Sequence, residues 1–242
     1  MSSKLIDTVE FGKVQLTKRR GSRSIRISLS VDGHVRVNMP TWVPYSAGLA
    51  FLEQKKVWIQ NQRQNVTTQL HDQQTLGKRH VLVFMPDDSV STPRVSTTDS
   101  RVVVKHPSIL GEADPTVQAA AVRGAKRALQ RQADDYLPDR LRLLADATDM
   151  QYQSLSIRQL KSRWGSCSST HHITLNYFLM LLPEQLIDYV LIHELAHTRH
   201  LDHSPEFWHI VGQHVPNLPE VRRQMRNHRP SVFAGASITS MA

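Results

Sequence analysis

The sequence predicts an α+β fold, with a β-rich N-terminal region followed by a mainly helical domain. Three observations carry that prediction. Residues 24–29 and 34–39 alternate polar and apolar side chains, as half-buried strands do. After Gly111 to Pro115, the stretch from Thr116 to Tyr136 is rich in Ala, Arg and Gln, with Gly124 as its one glycine. Beyond Pro183, Leu186, Ile187, Val190 and Leu191 recur at helical spacing.

Taken in order, the chain reads as strand from Val14 to Pro40, with Asp32-Gly33 as a hairpin turn between the two alternating segments. After Pro40 and Pro44 the spacing becomes helical, and Leu49, Leu52, Lys56, Trp58 and Ile59 predict an amphipathic helix over 45–69. His80 to Met85 and Arg101 to Lys105 are strand candidates, separated by a loop of Pro, Ser, Thr and Asp. The segment 115–147 is mostly helical. Pro138 either kinks that helix or starts the next, because proline lacks a backbone donor and clashes one turn back. Short β segments follow at Ser154 to Leu160 and Ile173 to Asn176, around a polar turn. Pro183 opens a helix to about His200, Ser204-Pro205 opens another, and Leu218 to Asn227 forms the last. Composition divides the chain into a basic β-rich region with one helix (1–110), a mainly helical domain (111–230) and a flexible tail (231–242). No internal repeat is visible.

The chain has 242 residues, 40% apolar and 21% charged, the makeup of a globular protein large enough to bury a core. Its single cysteine excludes the small disulfide-stapled secreted scaffolds. No apolar run approaches the ~20 residues that cross a bilayer, and Met1 to Glu10 lacks the apolar stretch of a signal peptide. A cytoplasmic protein with no membrane partner is expected. The net charge is +9, and it is uneven. Lys4, Lys13, Lys18, Arg19, Arg20, Arg23, Arg26 and Arg36 face only Asp7, Glu10 and Asp32 in the first 36 residues. Such a segment attracts phosphate backbones or acidic partners, although a solvated strand face carries similar charges.

The chemistry sits at His193-Glu194-Leu195-Ala196-His197. Four residues along a helix rotate a side chain by about 400° and raise it by about 6 Å, so His193 and His197 project from one face one turn apart. Glu194 stands beside them around the helix, placed to reach a water molecule. This His-Glu-x-x-His pattern is that of zinc hydrolases. A catalytic zinc needs a third protein ligand. His200 would stand about 10 Å further along a continuing helix, too far to share an ion. Ser204-Pro205-Glu206 reads as an N-cap, a proline at the first helical position and an acid in the first turn, so a new helix begins there. The break lets His203 fold back toward the pair. Glu206, Asp202, His209 and His214 are rival ligands. Cys167 with His171 or His172 offers a separate nucleophile–base reading, but no third group orients either imidazole.

Four segments now carry a resemblance. Lys161-Ser162-Arg163-Trp164-Gly165-Ser166-Cys167-Ser168, Ile173-Thr174-Leu175-Asn176, His193 to His197 and His203 to Trp208 resemble the YgjP-like metallopeptidase family, relatives of the SprT-like and WLM domains among the zincins. The resemblance is strongest over 155–215. It implies a zincin-like catalytic domain, zinc on His193, His197 and His203, Glu194 as general base, and a protein or peptide substrate. It also implies that Ile173, Thr174, Leu175 and Asn176 form a strand whose free edge binds substrate. His203 has the ligand spacing of metzincins, but their turn glycine is replaced by His200 and there is no persuasive Met-turn. Arg163, His200 or Tyr177 could donate to the oxyanion, with Arg163 taken as the candidate. Phe207 and Trp208 are expected to pack on the metal helix and hold the third ligand. SprT-like relatives act on DNA-attached proteins, so nucleic acid is a possible partner of the basic hairpin, and a nucleic-acid-associated binding module is the alternative function.

Overall fold

Alternation decides the first sheet. The computed structural model describes residues 3–29, 35–57, 59 and 69–231, and the chain divides into two units at Thr68/Gln69. In the first unit, β1 (Ser3–Thr8), β2 (Gly12–Arg19), β3 (Arg26–Leu29) and β4 (Val35–Pro40) form a sheet in the order β1-β2-β4-β3. Val14, Leu16, Val35, Val37 and Met39 point inward and are buried with Leu52 of α1 (Tyr45–Gln54) and Ile59. Arg36 lies opposite Gln15 and Ser28, and Arg26 opposite Asn38. With the exposed Lys13 and Arg19, these bases share the outward face, which carries no aromatic side chain among the described strand residues. The hairpin turn at Asp32-Gly33, Trp58 and the helix predicted over 60–68 lie outside the described residues, as does nearly all of the tail predicted over 231–242.

A second four-stranded sheet repeats the first sheet's topology without a visible sequence repeat. Here β5 (Thr75–Leu76), β6 (His80–Pro86), β7 (Arg94–Thr97) and β8 (Arg101–His106) follow the order β5-β6-β8-β7. As in the first sheet, the central pair is parallel and the outer pairs are antiparallel. Leu82, Val102 and Val104 share one core with the helices that follow. The second unit therefore begins at Gln69, well before the composition shift at 111–115.

That core is organised by α2 (Pro115–Thr148), one continuous helix with Pro138 inside it. Asp114 caps it, its carboxylate accepting from the Thr116 and Val117 amides. The alanines at 120, 121, 125 and 128 are fully buried and let the helix lie close to the sheet. Gly124 marks the nearest approach, where a Cβ would stand 2.4 Å from Val102 Cγ1 and 2.5 Å from Val95 Cγ2. Two buried glutamines fasten the surrounding chain. Gln118 pairs with both the N–H and the C=O of Leu70. Gln132 accepts from Lys78 N–H and donates to Leu76 O and to His80 Nδ1. His80 Nε2–H donates to Thr98 O, so the ring is neutral and fully partnered.

The remaining elements are β9 (Ser154–Arg158), β10 (Gly165–Cys167), β11 (His172–Asn176), a 3-10 helix (Tyr177–Leu181), α3 (Glu184–Ala196), α4 (Pro205–His214) and α5 (Leu218–Met225). The fold is α+β. Arg140 of α2 fixes α3 through a bidentate pair with Asp188, at 2.7 and 2.6 Å. Among the described residues no helix is long and apolar enough to cross a membrane.

Two predictions follow from the α2 packing. Gly124→Ala gains up to about 1 kcal/mol of helix propensity but loses about 1–3 kcal/mol to overpacking. The expected result is a net loss in urea unfolding, and a gain would show that the sheet yields. Burial holds the His80 imidazole below its ordinary pKa of 6.5. The unfolded chain then takes up this proton first, so the stability it contributes is complete above about pH 6.5 and is lost as pH falls through the depressed folded value. Imidazole NMR at pH 6 should show His80 as the neutral Nε2–H tautomer. A protonated ring would contradict this.

Candidate metal centre

Helix α3 ends where the chemistry begins. Its last helical residue is Ala196, and His197 caps it. The Thr198, Arg199 and His200 amides still bond back to Leu195 and Ala196, after which the chain turns. Ser204 then caps α4, its hydroxyl accepting from Phe207 N–H, with Pro205 in the first turn. This local grammar returns His203 to the helix it left. His203 Nε2 stands 3.2 Å from His193 Nε2, and one ring nitrogen from each of His193, His197 and His203 falls within 4.8 Å of the others. Among the described residues this is the one group of potential ligands that converges in this way.

The surroundings prepare these rings to bind a cation. His197 Nδ1–H donates to the His200 carbonyl at 2.9 Å, which leaves the Nε2 lone pair free. Burial, followed by the charges of His197, His203 and Arg222, pushes the His193 imidazole down to about 3. Burial also lowers His197. Phe207 stacks on His197 with centroids 4.5 Å apart, and Trp208 stacks on His203 at 5.6 Å. Both side chains lie where the sequence led us to expect them.

Glu194 is 5% exposed, and its Oε2 has no hydrogen-bond partner among the described residues. Burial drives its carboxyl up to about 8, against the pull of the Arg163 guanidinium. A buried carboxyl oxygen without a partner is costly in a purely structural role. Gly165 makes room for it: a Cβ there would lie 2.7 Å from both Glu194 Cγ and Oε1. The pair opens on a cleft of about 550 Å³ lined by residues 163–167, the three histidines, Tyr189, Val190, Leu201 and Met225. Sequence reasoning missed Tyr189 and Val190. Their positions four and three residues before His193 put them on the same helix face, a signal that was available.

The strand next to the cleft is not the predicted one. The three-stranded sheet runs β10-β11-β9, so Ile173, Thr174, Leu175 and Asn176 occupy its centre, hydrogen-bonded on both sides and buried. A central strand has no free edge to offer. That edge belongs to β10, which the sequence presented as a polar turn. Trp164 O accepts from Asn176 N–H and Ser168 N–H donates to His172 O. Antiparallel alternation then directs the backbone groups of Gly165 and Cys167 outward.

The rival residues lie outside the converging group. Glu206, His209 and His200 border a separate depression. Asp202 Oδ1 accepts from Ser204 N–H, and His214 ends α4. Tyr177 O–H donates to Gln159, whereas Arg163 lines the cleft. Burial and then the Glu194 charge push the Cys167 thiol up to about 11, and His172 is bonded to Ser154. Neither supports a thiolate nucleophile.

A family model for the YgjP-like, metallopeptidase domain matches residues 23–228. Among solved structures, the metallopeptidase zymogen of Pyrococcus abyssi abylysin is 31% identical to the chain, with 36% of this chain and 90% of that one covered at a TM-score of 0.34. The metallopeptidase zymogen of Methanocaldococcus jannaschii jannalysin is 19% identical, with 37% and 92% covered, also at 0.34. No curated protein matches the chain.

The Gly165 contact generates a prediction. Gly165→Ala should force β10 and Glu194 apart and cost about 1–3 kcal/mol in chemical denaturation. Unchanged stability, together with an unshifted β10 in a crystal structure of the variant, would count against the close approach.

Proposed function

This chain belongs to the YgjP-like metallopeptidase family, and from that premise we propose that it hydrolyses protein or peptide substrates with zinc held by His193, His197 and His203. The observation that carries the reading is the convergence of three imidazole nitrogens beside an unpartnered buried carboxyl oxygen. The donor chemistry supports zinc. Two nitrogens bonded at about 2.05 Å to one tetrahedral zinc stand about 3.3 Å apart, and His193 and His203 stand at 3.2 Å. Three neutral imidazoles also suit this ion and leave a fourth position open. When bound, zinc supplies Lewis acidity, polarising a peptide carbonyl and lowering the pKa of water.

In this reading Glu194 takes a proton from the attacking water and passes it to the leaving amine. Its burial raises its affinity for that proton, so the carboxyl can hold it between the two transfers. Arg163, on the cleft wall, is our candidate donor to the oxyanion. The substrate backbone pairs with the free edge of β10 through Gly165 and Cys167, in place of the central strand at 173–176. Tyr189, Val190 and Met225 give the cleft an apolar wall for a substrate side chain.

The outward bases Lys13, Arg19, Arg26 and Arg36 favour a second reading, docking on a nucleic-acid backbone. With no aromatic side chain among the described strand residues of that face, the contact would be electrostatic and independent of sequence. A steep fall of DNA affinity with salt supports that reading, and salt-independent or absent binding removes it.

Cleavage of an unfolded protein should stop on chelation and return with zinc. Glu194→Gln should lower kcat by about 10²–10⁴-fold while retaining the metal. Elemental analysis should find one ion per chain, lost or weakened in His203→Ala. Stoichiometric metal in that variant would make Glu206 the next candidate, and cleavage indifferent to chelator would overturn the metal mechanism.

A further inference from the structure

His203 is the exposed member of the three-histidine group. It sits on the irregular segment between α3 and α4, where no helix sets its direction. Its ring must be oriented by what stacks on it. Trp208 does so, with ring planes 27° apart, and the same indole lies 5.8 Å from the His193 ring. Trp208 is itself only half-buried, so something must hold the indole in turn. The Arg222 guanidinium of α5 lies 3.8 Å from its ring centroid. That planar cation is suited to stacking on an aromatic face. Its neighbour Arg223 is committed to Glu220 through two hydrogen bonds, whereas Arg222 forms no ion pair among the described residues.

We infer that Arg222 is a positioning residue for the metal centre, holding Trp208 against His203 and thereby fixing the third imidazole. This rests on the three-histidine reading above. Its consequence is that metal affinity depends on a side chain in α5, a helix that supplies no ligand. A ligand free to swing away from the shared ion loses it faster, so the effect should appear mainly in metal release.

The test uses the full chain. Zinc affinity is measured by competition with a chromophoric chelator for wild type, Arg222→Ala, Arg222→Lys, Trp208→Phe and Arg223→Ala, with thermal unfolding of each metal-free variant recorded in parallel. Visible spectra of the cobalt-substituted proteins report ligand geometry. Arg222→Ala should weaken binding about three- to tenfold and alter the cobalt spectrum, with a loss of metal-free stability no greater than that of Arg223→Ala. Arg222→Lys should recover part of the affinity, Trp208→Phe should fall between, and Arg223→Ala should match wild type. Wild-type affinity and spectrum in Arg222→Ala would overturn the inference, as would an equal loss in Arg223→Ala, which would point to general loosening of α5. If His203→Ala binds zinc as tightly as wild type, the three-histidine reading falls and this inference falls with it. If His203→Ala loses the metal while Arg222→Ala does not, only the inference about Arg222 is lost.

Discussion

Two imidazole nitrogens 3.2 Å apart are the constraint on which the rest of the site depends. Such a contact repels if both rings are charged and is a hydrogen bond only if one ring carries its proton at Nε2, so two free lone pairs meet at this distance only where the chain imposes it. Three features do so. Helix α3 stops at Ala196, Ser204 and Pro205 start α4, and residues 197–204 between the two helices must double back to close that distance. Burial then keeps His193 and His197 neutral, the form in which an imidazole can donate its lone pair. The order is physical: capping sets the reversal, the reversal sets the distance, and burial sets the protonation state.

The buried polar groups of the second unit differ in how completely they are partnered. Gln118, Gln132 and His80 lie deep in the core, and every polar atom of those side chains has a protein partner. They fasten β5 and β6 to α2 and need nothing further. Glu194 is as deeply buried, yet Oε2 lacks a partner, as does His193 Nδ1. A satisfied buried network stabilises a fold, whereas an unsatisfied buried carboxyl strains it unless a ligand or a proton completes it. Unpartnered atoms also occur in the scaffold, at Gln74 Nε2, Thr97 Oγ1 and His106 Nε2, but Glu194 is the carboxylate among these described atoms, and it lies beside the three imidazoles on the wall of the cleft. Gly165 belongs with the site for the same reason: its missing side chain admits Glu194.

What the sequence made legible was local. Period-two alternation identified β3 and β4 within the strand-like stretch from Val14 to Pro40, helical spacing identified α1 and α3, an Ala-, Arg- and Gln-rich composition identified α2, and the Ser204-Pro205 signature located the start of α4, the helix that turns His203 around. The failures lie where local signals are weak. Strand β1 is largely exposed and β7 alternates between exposed and half-buried, so neither has the apolar face that reveals a strand. Strand β5 is two residues long, too short for any period. Strand β10 is Gly-Ser-Cys, a composition that reads as turn because its packing partner, Glu194, is distant in sequence.

The reversal of β10 and β11 shows a deeper limit and why it matters for function. Periodicity shows that a segment is a strand and which face it buries, but strand order is a property of pairing between distant segments. Ile173 to Asn176 is the more apolar and regular of the two strands, and those qualities belong to a strand enclosed on both edges. An edge strand next to a cleft must leave backbone groups unpaired and tolerate solvent, so small and polar residues are what such a position requires. The segment that looked least like a strand is therefore the one whose backbone is free to pair with another chain, and its closeness to Glu194 follows from the same small residues.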